Sequence, residues 1–146
     1  MYSSSEQDLV LEHPAIAILG RGLFTLIFFA SGITHFTDMQ SYVNLMPAAL
    51  PWREFWVAIS GVVELAGATM ILLNRYPRLG AWLIAIFLVP VTIIVHGVLM
   101  MTAPDEAMQR IQLSFFLKGL TMTGAALIFT QVGVTKRSQG NVSPST

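Results

Sequence analysis

Residues 79–103 read LGAWLIAIFLVPVTIIVHGVLMMTA, and this stretch decides the fold. It contains no Asp, Glu, Lys or Arg. A bilayer core ~30 Å thick is crossed by about 20 apolar residues in a helix. The run is longer than that, so its reading is a membrane span. Lipid offers no hydrogen bonds to the backbone, which leaves only helices and closed barrels as spanning structures. Three further runs meet the same criterion: Pro14–Thr37, Pro51–Leu73 and Gln112–Thr135. Pro14 suits a first helical position, where its missing N–H costs nothing.

The connections set the topology. LNRYPRLG, residues 73–80, is a tight turn that makes spans two and three antiparallel neighbours. TAPDEA, residues 102–107, is a second short polar link. DMQSYVNLMPAAL, residues 38–50, is longer and semi-apolar, and it contains Pro47 with Pro51 just after it. It reads either as a short interfacial helix or lid or as a plain loop. The expected fold is all-α, an integral membrane up-down four-helix bundle over residues 14–135. Residues 1–13 and 136–146 read as polar cytoplasmic tails.

Composition agrees. Of the 146 residues, 54% are hydrophobic and 11% charged, with mean hydropathy +0.66. Soluble domains carry about 25% charged residues, and a globule of this size cannot hide so much apolar surface. The lipid bilayer is therefore the expected solvent. Lys+Arg 8 balances Asp+Glu 8, and no basic patch argues for nucleic acid. With no cysteine, disulfides, thiolate metal sites and thiol catalysis are excluded. No Lys or Arg precedes Arg21, which argues against a secretory signal. Arg75, Arg78, Lys136 and Arg137 gather on one side. The positive-inside rule then puts both termini in the cytoplasm.

Beyond Arg53 and Glu54 at the start of span two, five ionisable residues interrupt the spans: Arg21 and His35 in span one, Glu64 deep in span two, His96 in span three and Lys118 in span four. A charge at mid-bilayer costs ~2.5–3.5 kcal/mol on insertion scales unless paired or turned inward. Counting a rise of ~1.5 Å per residue puts Glu64 near the middle and Arg21 about one turn towards the cytoplasm. An Arg21–Glu64 structural ion pair is the expectation. The same counting puts His35, His96 and Lys118 together in the outer half, with Thr92 one turn before His96. These four form the candidate ligand-binding set. Small residues beside them, such as Gly32, Ser60, Gly61, Gly67, Ser114 and Ala125, mark the faces on which helices approach closely. Pro90 should distort span three, freeing the carbonyl of Ile86 and making room below His96.

Each position has a plainer reading. Arg21 and Lys118 can snorkel to headgroups. Glu64 is either a structural partner or a proton-handling acid. His35 is either an interfacial residue bonded to a backbone carbonyl or a ligand contact. His96 is either a satisfied core histidine or a site residue.

The ordered set RGLF (21–24), SGITHF (31–36), SGVVELAG (60–67), RLGAW (78–82), PVTIIVH (90–96) and FLKG (116–119) resembles the DoxX family of small bacterial and archaeal membrane proteins. The resemblance runs from about Pro14 to Val132. It implies a four-helix protein of the cytoplasmic membrane and suggests a subunit of a quinone-linked oxidoreductase. Family positions matched here are Arg21, Ser31, Gly32, Glu64, Gly67 and Lys118. At His35, family members often carry another polar residue.

Three functions follow as expectations. One is a quinone-binding membrane subunit; the chain has no flavin, nucleotide or iron–sulfur motif, so a redox partner protein would supply electrons. The second is a non-catalytic assembly factor, scaffold or lipid-binding protein, acting with a partner helix or as a homo-oligomer. The third, minor reading is a bis-histidine haem protein using His35 and His96. Structural zinc is disfavoured by the poor ligand set, and transport by the lack of a visible repeat.

Overall fold

A computed structural model describes residues 13–131. Of the two tails assigned to residues 1–13 and 136–146, all but residue 13 lies outside the described residues, as does the last part of span four, residues 132–135. All regular structure among the described residues is helical. Four helical spans are long and apolar enough to cross a membrane: Pro14–Thr37, Arg53–Leu72, Pro77–Met101 and Glu106–Gln131. The protein is a multi-pass membrane protein.

Helix α1 (Pro14–Thr37) has the bounds expected from sequence, with Pro14 opening its first turn. Asp38 leaves helical geometry at φ −136° and ψ 46°. The chain then forms α2 (Met39–Leu45), so the first link holds a short helix. Helix α3 (Arg53–Leu72) returns across the bundle. The tight turn before α4 (Pro77–Pro90) places Asn74 and Tyr76 at positive φ, 53° and 57°. That left-handed backbone is what reverses the chain within four residues.

Pro90 then acts as expected of a proline inside a helix. It has no N–H to give the carbonyl of Ile86, and its ring crowds that carbonyl. The helix continues by widening into a π segment, Val91–Gly97, before α5 (Val98–Met101) completes the span. Helix α6 (Glu106–Gln131) starts six residues earlier than the apolar run implies. The reason is local: the Asp105 carboxylate accepts the Met108 N–H at 2.8 Å, an N-terminal cap that extends the helix through a polar first turn.

Packing runs in sequence order, α1 on α3, α3 on α4, and α4 with the π segment on α6. Each crossing is made where a glycine lets another chain come close. A Cβ on Gly32 would lie 2.8 Å from Leu65, one on Gly67 would lie 2.9 Å from the Gly80 carbonyl, and one on Gly119 would overlap the Thr92 side chain. Lipid supplies no hydrophobic drive between helices, so these van der Waals contacts hold the bundle. The buried cluster is Phe28, Ala68, Ile71, Ala81, Ile84, Ala85, Leu88 and Ala126. Helices α1 and α6 close no comparable interface. They meet at Phe24 and Phe129, ring centroids 4.9 Å apart, and the seam beside that contact is open.

Candidate functional site

The crossing of α1 on α3 at Gly32 and Gly61 sets the first polar cluster. It brings Ser31 and His35, one turn apart on α1, against Glu64 of α3. The Ser31 hydroxyl donates to Glu64 Oε1 at 3.2 Å. His35 Nδ1 lies 2.8 Å from the Ser31 carbonyl. A carbonyl can only accept, so Nδ1 carries the hydrogen. Glu64 Oε2 lies 3.4 Å from the same Nδ1, yet has no hydrogen-bond partner among the described residues. Glu64 is 2% exposed and His35 5%. Tyr42 of α2 stacks on the His35 ring at 3.9 Å, and its hydroxyl shares a 2.6 Å hydrogen bond with exposed Thr34. Phe87 of α4 presents its edge to the ring on another side.

This corrects the expected ion pair. Glu64 takes its partners from Ser31 and His35, and Arg21 is not among them; Arg21 Nε is itself buried without a hydrogen-bond partner. The reason is register. Ser31 faces Glu64, and Arg21 lies ten residues before Ser31 on the same helix, roughly 15 Å along its axis. An arginine side chain spans less than half of that.

The second cluster lies on the π segment and α6. His96 Nδ1 donates to Gln112 Oε1 at 3.0 Å. Its ring packs on Phe115 at 5.3 Å, and Lys118 Nζ sits 5.4 Å from the centre of that same ring. Side chains on a helix lean towards its N-terminus, which carries Lys118 one turn back over Phe115. Thr92 is buried against Gly119, its hydroxyl without a partner among the described residues.

Thus His96, Lys118 and Thr92 share one neighbourhood, and His35 does not join them. His35 is level with Phe87, and His96 lies nine residues farther along the same span as Phe87, roughly 13 Å at helical rise. The four-residue ligand set expected from sequence is therefore split. The bis-histidine haem arrangement does not fit, because two axial ligands must face one metal from opposite sides.

The open seam between α1 and α6 forms a groove of about 420 Å³ lined by Ile27, Ser114, Leu117, Lys118, Thr121 and Met122. Ser114, Lys118 and Thr121 are spaced i, i+4 and i+7 on α6, so one ammonium and two hydroxyls point along one exposed stripe. Among the described residues no acid pairs with Lys118. No group of three His, Cys, Asp or Glu residues among the described residues is placed to hold a metal ion.

The partners that sequence reasoning missed are Ser31, Tyr42 and Gln112. Ser31 carries a usable signal, since it lies four residues before His35 and so shares its helical face. Tyr42 and Gln112 depend on tertiary folding.

A model of the family described as a domain of unknown function (DUF8561) matches residues 24–117. The matched stretch contains His35, Glu64, Thr92 and His96, ends one residue before Lys118, and begins after Arg21. No curated protein and no solved structure matches the chain.

Proposed function

The chain belongs to the DUF8561 family, and we propose that it is a DoxX-like quinone-binding subunit of the cytoplasmic membrane, working with a redox partner protein. In this reading both termini are cytoplasmic. The observation that carries the proposal is Lys118. It lies mid-span, is exposed, has no acid partner among the described residues, and sits in a groove that opens laterally to lipid. A bare ammonium at that depth is costly. A ligand that enters from lipid and brings a hydrogen-bond acceptor removes that cost.

A quinone headgroup meets the chemistry: flat and mostly apolar, with carbonyl oxygens that accept from Lys118 Nζ and from the Ser114 hydroxyl, the Thr121 hydroxyl being already given to the Leu117 carbonyl at 2.9 Å. When bound it supplies two-electron, two-proton redox chemistry. This chain supplies the donors, the apolar walls of Ile27, Leu117 and Met122, and lateral access. Phe115 braces Lys118, and His96 packs on that same ring, tied to Gln112.

The same exposed stripe favours a second reading, a scaffold whose partner helix brings a mid-span carboxylate to Lys118. One experiment separates them. The protein is extracted in native lipid, and lipids and proteins that travel with it are identified by mass spectrometry, for wild type and Lys118→Met. The quinone reading expects near-stoichiometric quinone in wild type and its loss in the variant. A quinone-free preparation that carries a partner protein, lost on the same substitution, replaces it with the scaffold reading. A preparation with neither, or quinone retained by Lys118→Met, sinks the proposal.

A further inference from the structure

The Glu64–His35 pair is not used by the groove, and it has features a purely structural pair does not need. A buried carboxylate that only holds two helices together has both oxygens satisfied. Here one oxygen, Oε2, is left without a bond, in contact range of a hydrogen that is directed elsewhere. Beside it lie His35 Nδ1 and the imidazole ring, with Tyr42 stacked on that ring and the Tyr42 hydroxyl bonded to exposed Thr34. This side of the pair is the α2 end of the bundle. Facing the pair are Ser31 from α1, Tyr42 from α2 and Phe87 from α4. Span three brings it no titratable group. Asp38 and Arg53 flank α2, and the Arg53 guanidinium is held by the Val43 carbonyl.

We propose that Glu64 and His35 form a proton-exchange site inside the bundle, loaded from the α2 end, with Tyr42 as its cover. The step balances without any other reactant. A hydronium ion at the α2 end gives its proton to His35 Nε2, leaving water and making the ring an imidazolium. Nδ1 then passes its hydrogen across the 3.4 Å gap to Oε2 of the Glu64 carboxylate. The ring is left neutral with its hydrogen on Nε2, and Glu64 is a neutral acid. The transfer breaks the Nδ1–H bond to the Ser31 carbonyl, so restoring that bond favours return of the proton. That makes the site one of exchange and not of permanent storage. Tyr42 covers the ring from α2, a seven-residue helix hinged at Asp38, so access is set by how often α2 lifts.

The test is infrared difference spectroscopy of the full chain in native-lipid discs, perfused alternately with acid and alkaline buffer and labelled with 13C-glutamate. The proposal expects a carboxylic acid band that rises on acidification and moves in Glu64→Asp, a variant that keeps the acid if Glu64→Gln does not fold. His35→Gln shifts the pH at which the band appears, with the protein otherwise intact. Tyr42→Ala speeds deuterium exchange of the acid proton by about tenfold or more, because a local opening is no longer needed. A Glu64 band unchanged between the two buffers overturns the proposal. So does an exchange rate indifferent to Tyr42. Quinone content does not enter these readouts, so the inference stands or falls apart from the proposed ligand.

Discussion

Replacing Gly80 by alanine tests the idea that backbone contact at the glycine crossings holds the bundle. A Cβ at position 80 would lie 2.6 Å from the Gly67 carbonyl oxygen and 2.8 Å from Met70 Cβ. The first of these is backbone and cannot swing aside. Helices α3 and α4 must part by roughly 0.8 Å to restore ordinary contact, and a gap of that size forfeits a quarter to a half of each dispersion well along the seam. The seam contains Ala68, Ile71, Ala81 and Ile84, all fully buried. Overpacking of this kind costs about 1–3 kcal/mol, while alanine for glycine inside a helix returns about 0.5–1 kcal/mol. The expected net loss is about 1 kcal/mol, within a range of about 0–2.5 kcal/mol. Gly124→Ala is the control, since a Cβ there meets nothing within 4 Å, and it should gain the helix term alone. The assay is reversible unfolding in mixed micelles followed by tryptophan fluorescence. Gly80→Ala at or above wild-type stability, with Gly124→Ala behaving as stated, would refute the packing argument.

Arg21→Gln should change stability by less than ~0.5 kcal/mol, whereas Glu64→Ala should cost ~1–3 kcal/mol by leaving the half-buried Ser31 hydroxyl without its acceptor; the same unfolding assay compares them. Pro90→Ala returns an N–H to span three and should let the π segment relax towards α-helix, turning residue 96 away from Gln112. Oxidative cross-linking of cysteines placed at 96 and 112 reads this as a several-fold slower rate in the Pro90→Ala chain. Tyr76→Gly should stabilise by about 1 kcal/mol, because φ 57° is costly for any residue with a Cβ; an unchanged melting point would show that the turn is not strained.

Length and hydropathy made the four spans legible, and α1 was read to the residue because Pro14 and Asp38 bound it locally. Depth was not legible. Counting each helix from its own apolar edge assumes that all four edges lie in the same two planes. The contacts of Ser31 with Glu64 and Gly32 with Gly61 set α1 against α3 in a register that such counting does not contain. That register moves Arg21 away from Glu64 and replaces it by His35. Span three has its own offset, set where Gly67 meets Gly80, so His35 and His96 fall at different levels. The identity of the polar residues was informative. Their pairing depended on glycine contacts whose partners cannot be read from one helix at a time.

The two polar positions differ in kind. Glu64 sits inside the bundle with a hydroxyl donor and an imidazole within reach. Its burial is offset largely by its own chain, so its presence alone is weak evidence for a ligand. Lys118 sits on the surface of the least buried pair of spans, braced by one aromatic ring and opposed by no acid among the described residues. Leaning outward shortens its path to the headgroups, but from mid-helix it cannot complete it: Arg110, at the polar end of α6, lies eight residues or ~12 Å away. The chain brings Glu64 a hydroxyl donor and a neighbouring imidazole of its own and leaves Lys118 for something that arrives from lipid. The groove at Lys118, and not the histidine of span three, is therefore where a bound molecule should first be sought.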